Sequence, residues 1–307
     1  MSLWTPGGEV PVERNRGGQP EAGTQADQGA AGAMISEEAL AEAAAAAALE
    51  PQALAGVGVG SPGAIDADAG TVSGARNLPG WTGTFALAAT LAEQLGTPVA
   101  LGNDVQVATD AEVALGAGRG ARSLLGVFWG TGVGGGIVLD GKPWLGRGAA
   151  GEIGHMVVKR DGRRCPCGRR GCMEAYAGRA AMEARARERH AGGHKTALFK
   201  LMEHHGRTRL TSGIWARALE HGDQLATELI DEAVAALGAG IASAVNLLDC
   251  EVVVIGGGLG VRFGEPYVER IRAAMLPHLF VDERPPDVRL AALGDLGGAI
   301  GAALLAR

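Results

Sequence analysis

Three of the chain's four cysteines, Cys165, Cys167 and Cys172, fall within eight residues, ringed by arginines and preceded by His155. Thiolates and an imidazole so spaced can bind a metal ion, close a disulfide or present a reactive thiol. In a reducing compartment, clustered cysteines are more often metal ligands. A second candidate is Asp104 in "ALGNDVQVA". It reads either as a helix N-cap or as a general base that takes a hydroxyl proton during phosphoryl transfer. That chemistry also needs backbone amides for phosphates and a metal ion. The stretches "GVFWGTGVGGGIVLDG" and "VVVIGGGLG" supply glycine turns. Such turns leave N–H groups open to phosphate oxygens, or serve only as structural turns. Thr131 adds a hydroxyl, and neither stretch matches a P-loop or a dinucleotide fingerprint.

These residues need elements to position them. Residues 1 to about 33 have turn formers and little apolar periodicity, and Ser36-Glu37-Glu38 reads as the start of a helix to about Leu49. "AGVGVGSPGAID" reads as a short buried strand entering a Gly/Pro turn, and "FALAATLAEQLG" as an amphipathic helix ending at Gly96. Next, "PVALGND" is expected to be a strand leading into a helix over "VQVATDAEVALGAG". "SLLGVFWGTGVGGGIVLDG" has the shape of a hairpin with a turn at Asp140-Gly141. The middle of the chain, about Gly178 to Leu225, is largely helical and charged, and a long helix runs over "QLATELIDEAVAALGAGIASAVNLLD". A buried strand in "CEVVVIGGGLG" enters the second glycine turn, with Cys250 expected in that strand as a core residue. "LGGAIGAALLA" closes the chain as a small-residue helix. Strands and helices alternate in both halves, which points to an α/β fold with mainly buried sheets.

Bulk properties narrow the function. With 307 residues the chain is long enough for two domains. The net charge of −6 argues against a broad nucleic-acid surface, and Arg163, Arg164, Arg169 and Arg170 read as solvated surface. No secretion signal or membrane-spanning stretch stands out, because "ALAEAAAAAAL" is too short and flanked by glutamates. The expectation is a cytoplasmic protein with neither nucleic acid nor membrane as partner.

Taken together, "GTGVGGGIVLDG", "GAAGEIGHMVV" and "CPCGRRGCMEAYAG" resemble the ROK family of bacterial sugar kinases and sugar-responsive repressors, above all its glucokinases. The match extends to "GVGSPGAID", "ARNLPGW", "LGNDVQVATDAE" and "VVVIGGGLG", from Ala55 to the C-terminus. The GEIGH and C-x-C-G-x-x-G-C-x-E pairing is the specific part, whereas the glycine loops are less so. The resemblance implies an actin-like, ribonuclease H-like two-domain α/β fold with sugar and ATP meeting in the interdomain cleft. The expected domains are 1–102 and 103–293, with the C-terminal helix 294–307 rejoining the first. By the same resemblance, Asp104 is the general base acting on a hexose 6-hydroxyl, with glucose the first candidate. Asn103, Glu152, His155 and Glu174 contact sugar, and Gly63 and Asn77 line its pocket. Gly130, Thr131 and Gly132 form a phosphate loop, and Gly256, Gly257 and Gly258 an adenosine loop. Mg²⁺ and a homodimer are implied as well. Asn, Asp, Glu and His suit a sugar site, where specificity rests on leaving no buried polar group unpaired.

His155, Cys165, Cys167 and Cys172 make a Cys₃His set, which suits a tetrahedral structural Zn²⁺. A disulfide leaves an odd cysteine, and a catalytic thiol does not explain three. The family's histidine ligates zinc through one ring nitrogen and touches sugar through the other, so the metal fixes the ring's orientation.

The family's opening strand and D-x-G-G-T-K-type first phosphate loop are not found in this sequence, and "GGEVPVER" resembles the strand that follows them. Three accounts compete: a start placed too late, a sugar-binding protein without catalysis, or a sheet rebuilt by Trp4 to Arg16. The first is favoured, and it predicts poor kinase activity for the chain as it stands. "GGHKTALFKLMEHHGRTRLTSGIWARALEHGD" is the kinases' helical insert, and no N-terminal helix-turn-helix is seen. An N-acetylglucosamine or N-acetylmannosamine kinase, or a catalytically impaired regulatory protein, are the alternatives.

Overall fold

The computed structural model describes residues 54–75 and 83–306, together with the backbone of two short strands, β1 (Ser2–Thr5) and β2 (Gly8–Pro11). The expected helix at 36–49, the opening-loop question beyond β1 and β2, and Asn77 with its "ARNLPGW" motif lie outside the described residues. β1 and β2 pair with each other, antiparallel, from Ser2 against Pro11 to Thr5 against Gly8.

The chain forms two compact units, Met1–Asp104 with Ala302–Arg307, and Val105–Gly301. In the first, β3 (Val57–Ser61) and β7 (Val99–Asn103) run parallel, so Ser61 stands beside Asn103. Between them in sequence come β4 (Ala64–Asp66), β5 (Thr71–Ser73) and β6 (Thr84–Phe85), a small antiparallel sheet. Helix α1 (Leu87–Leu95) buries Leu87 and Leu91 at i, i+4 spacing and ends where Gly96 turns left-handed, φ 64°. Val72, Ala75 and Leu101 complete this core. β3 is half-buried rather than buried as expected, its only described strand partner being β7.

Helix α2 (Asp104–Leu115), which lies in the second unit from Val105 on, leads into a five-stranded sheet ordered β10-β9-β8-β11-β12. Its strands are β8 (Leu124–Trp129), β9 (Val133–Leu139), β10 (Lys142–Pro143), β11 (Val252–Gly256) and β12 (Asp287–Leu290). β8 and β9 form the expected hairpin, while β8, β11 and β12 are parallel. All five residues of β11 are buried, as its unbroken apolar run requires. Only Gly130, Thr131 and Gly132 form the hairpin turn; Gly134, Gly135 and Gly136 lie inside β9. A Cβ at Gly134 or Gly136 would strike Val105 or Thr109 of α2, so these glycines seat the helix on the strand.

Helices α3 (Glu174–Ala177), α4 (Arg179–Ala191), α5 (Leu198–His204) and α6 (Ser212–Glu220) fill the charged middle. The 25-residue α7 (Gln224–Leu248) is N-capped by Asp223, whose carboxylate accepts the Ala226 N–H at 2.8 Å. It packs against α9 (Glu265–Met275) through Gly238, where a Cβ would come within 2.6 Å of Ala274. The second glycine turn is shorter than the sequence suggests, because α8 (Gly257–Phe263) starts directly after β11. Cys250 is buried in the core as expected, but in the loop ahead of β11 and not in the strand. Helix α10 (Gly297–Leu305) ends the described chain. Among the described residues, no helix is long and apolar enough to cross a membrane.

Candidate functional site

In the first unit, the predicted residues gather at the C-terminal ends of two neighbouring parallel strands. The Asn103 side-chain amide donates to the Gly63 carbonyl at 3.4 Å. Gly63 holds φ +98°, and a Cβ there would lie 2.6 Å from the Ser73 carbonyl oxygen. Only glycine makes this turn without strain. Asp104 follows Asn103 as the first residue of α2. A carboxylate at that position is favoured by the helix dipole and leaves the strand end where ligands of open α/β sheets bind.

In the second unit, the two glycine segments lie side by side, because β8 and β11 are parallel neighbours with Phe128 opposite Gly256. A Cβ at Gly130 would lie 3.9 Å from the Gly258 nitrogen, and one at Gly257 (φ +79°) would lie 2.6 Å from the Trp129 carbonyl oxygen. At Gly257 a side chain is excluded by backbone, and the two glycine segments together form a surface of closely spaced peptide groups that suits an anion.

Across the turn from these segments stands the cysteine knot. His155 ends a short 3₁₀ turn, Ile153–His155. Its Nδ1 lies 3.8 Å from Cys165 Sγ, and Cys167 Sγ lies 3.7 Å from Cys172 Sγ. One donor atom from each of the four residues falls within 4.8 Å of the others. None of the cysteines is in a disulfide. Zinc–sulfur bonds of about 2.3 Å in a tetrahedron place sulfurs about 3.8 Å apart, so the set fits a zinc ion in both donor type and spacing. Burial pushes the Cys165 and Cys172 thiols up. Burial also acts on Cys167, but the Arg169 N–H and the neighbouring thiols outweigh it and draw the group down to about 7. The loop is shaped by backbone bonds, Cys165 N–H to Arg169 O at 2.8 Å and Met173 N–H to Met156 O at 2.9 Å. Gly171 (φ +81°) is required, since a Cβ would overlap the Lys159 carbonyl.

Two carboxylates flank the knot. Glu152 Oε2 lies 3.8 Å from His155 Nε2, so the ring turns one nitrogen to the thiols and the other to an acid. Glu174 Oε1 lies 3.8 Å from Cys165 Sγ, while its Oε2 accepts the Val133 N–H at 3.0 Å. One side chain therefore spans from the knot to the glycine hairpin.

Sequence reading missed two groups here. The first is the Val133 N–H, which holds Glu174 in place. The second is Arg179, which donates to Thr131 Oγ1 at 2.8 Å and to the Leu210 carbonyl at 3.0 Å. Arg179 and Thr131 are 48 positions apart, and no local pattern links them.

Comparison with known proteins gives the chain's family and fold. The ROK family model matches residues 29–307. A glucokinase from Thermotoga maritima is 35% identical over 224 residues, covering 73% of this chain and 69% of that protein. An N-acetylgalactosamine kinase from a Shewanella species is 34% identical, covering 81% of this chain and 77% of that one. Among solved structures, a ROK glucokinase from Streptomyces griseus, in complex with glucose and AMPPNP, superposes with a TM-score of 0.73 at 32% identity, covering 88% of this chain and 87% of that one.

Proposed function

Because this chain belongs to the ROK family, we propose that it transfers the γ-phosphoryl group of ATP to the 6-hydroxyl of glucose. The chain has the family's actin-like, ribonuclease H-like two-domain α/β fold and is a sugar kinase that phosphorylates a hexose with ATP. The choice of sugar and the residue roles are our reading.

In that reading the Asp104 carboxylate accepts the proton of the sugar hydroxyl. The hydroxyl oxygen forms its bond to the γ-phosphorus, the bond to the β-phosphate oxygen breaks, and ADP leaves. Asn103, Glu152, His155 and Glu174 pair with sugar hydroxyls, and Gly63 and Asn77 line the pocket. Gly130, Thr131 and Gly132 hold phosphate oxygens, and Gly256, Gly257 and Gly258 hold the adenosine side. Magnesium carried on the nucleotide would neutralise phosphate charge. His155, Cys165, Cys167 and Cys172 would hold a zinc ion, which would brace the orientation of the imidazole.

The observation that carries this reading is Glu174. Its carboxylate touches the Cys₃His set with one oxygen and the glycine hairpin with the other. Residues assigned to sugar, metal and phosphate thereby form one connected group within the second unit.

Asp104→Asn is the direct test. It is expected to lower kcat by about 10²–10⁴-fold while glucose affinity, read by calorimetry, stays within a few-fold. Loss of both together would make Asp104 structural. A second reading, an amino-sugar kinase, is favoured by the N-acetylgalactosamine kinase at an identity matching that of the glucokinase. A coupled assay over glucose, N-acetylglucosamine, N-acetylmannosamine and N-acetylgalactosamine separates the two. Glucose binding without nucleotide binding would instead make the chain a non-catalytic sugar binder. The reading includes a homodimer, which sedimentation tests.

A further inference from the structure

We infer that Arg179 is a positioning residue for the phosphate turn, acting through the Thr131 hydroxyl. The inference rests on the kinase reading. The first two residues of α4 grip the turn at three points, beginning with Arg179. Its backbone N–H donates to the Gly130 carbonyl at 3.0 Å, and the next N–H, of Ala180, donates to the Thr131 carbonyl at 3.0 Å. Its guanidinium donates through Nη2 to Thr131 Oγ1 at 2.8 Å. Nη1 of the same group donates to the Leu210 carbonyl at 3.0 Å, and Leu210 is completely buried. The fork is thus anchored in the core on one arm and presented to the threonine on the other, a geometry a lysine cannot reproduce.

The consequence is chemical. Threonine has one proton and two lone pairs on its hydroxyl. With the guanidinium donating into one lone pair, that proton must point away from Arg179. The hydroxyl is held as a donor, and Thr131 is an exposed residue at the tip of a turn otherwise made of glycine. A neighbouring cation also polarises the hydroxyl and strengthens its bond to an anion. The hydroxyl is then set before the phosphate arrives, so no ordering cost falls on binding.

A double-mutant cycle on the full chain tests this, with AMPPNP and Mg²⁺ titrated calorimetrically at saturating glucose. Thr131→Val and Arg179→Ala are each expected to weaken AMPPNP binding about tenfold, the scale of one charge-assisted bond. If Arg179 acts through the hydroxyl, the double variant is no more than about twofold weaker than either single variant. Glucose affinity is expected to be unchanged in all three. If Arg179→Ala fails to fold, Arg179→Gln carries the same test. Two results overturn the inference: a double variant about a hundredfold weaker, which would place Arg179 directly on the phosphate, or an Arg179 variant that binds AMPPNP normally. Failure of the wild-type chain to bind AMPPNP at all would instead remove the kinase reading, and this inference with it.

Discussion

Glu174 accepts the Val133 N–H with one oxygen and approaches Cys165 with the other, so the metal knot and the glycine hairpin share a carboxylate. A change at the metal is therefore felt beyond the knot. On the proposed zinc and sugar roles, treatment with a chelator, or Cys167→Ala, is expected to weaken glucose binding about tenfold, in the range seen when ligand-orienting contacts are lost. Calorimetric glucose affinity is the measurement, and an unchanged value would make the knot a staple only. A second residue carries a pH signature. Burial raises the Asp110 carboxyl from 3.8 to about 6, against the opposing hydrogen bond from Gln106. Between those values the folded chain holds a proton that the unfolded chain has released. Stability therefore falls as pH rises through that window, and the loss is complete above it. Asp110→Asn is expected to stabilise the protein by roughly 1–3 kcal/mol near pH 8, with the difference fading towards pH 4. Urea titrations at several pH values would read this directly.

The elements depend on glycine where backbone meets backbone or side chain. β9 carries three consecutive glycines that sequence reading assigns to a loop. They are strand residues, and two of them admit Val105 and Thr109 of α2. Gly136→Ala would push a methyl group into the Thr109 side chain. The expected cost is about 1–3 kcal/mol of overpacking, read as a lower denaturation midpoint. Adding Thr109→Ala should recover part of it, since Oγ1 and Cγ2 are then gone while Cβ, at 2.6 Å, stays. If the double variant is as unstable as the sum of the singles, the clash is not the cause. A similar constraint holds in the first unit, where a Cβ at Gly58 would overlap the Ala302 carbonyl.

At the scale of the molecule, binding and stability are linked. A sugar present at about a hundredfold its Kd stabilises the folded chain by about 2.7 kcal/mol if it binds only the native state. A melting-temperature panel over hexoses and N-acetylhexosamines therefore ranks substrates without an assay of turnover. Glucose is expected to give the largest rise, and a larger one with an acetylated sugar would favour the amino-sugar kinase. On the proposed roles, the ranking should persist in the Asp104→Asn chain, because that change removes a proton acceptor and leaves the other proposed hydroxyl partners in place.

Much of this was legible in the sequence. The periodicity of "FALAATLAEQLG" and the length of "QLATELIDEAVAALGAGIASAVNLLD" set two helices, and their predicted ends at Gly96 and near Asp249 match the structure. The spacing of Cys165, Cys167 and Cys172 already implied that three sulfurs converge, since an eight-residue span leaves the thiols little room to part. Local patterns could carry these because the interactions are local. Other features needed the tertiary fold. That Gly134 and Gly136 are packing residues depends on a helix arriving from an earlier part of the chain. That Glu174 holds Val133, and Arg179 holds Thr131, depends on contacts 41 and 48 residues apart. Sequence fixes which donors and acceptors are present. Which of them meet is decided when the sheet brings β8 and β11 together and the knot folds onto the β8–β9 hairpin, because a hydrogen bond is set by distance and direction and not by residue type.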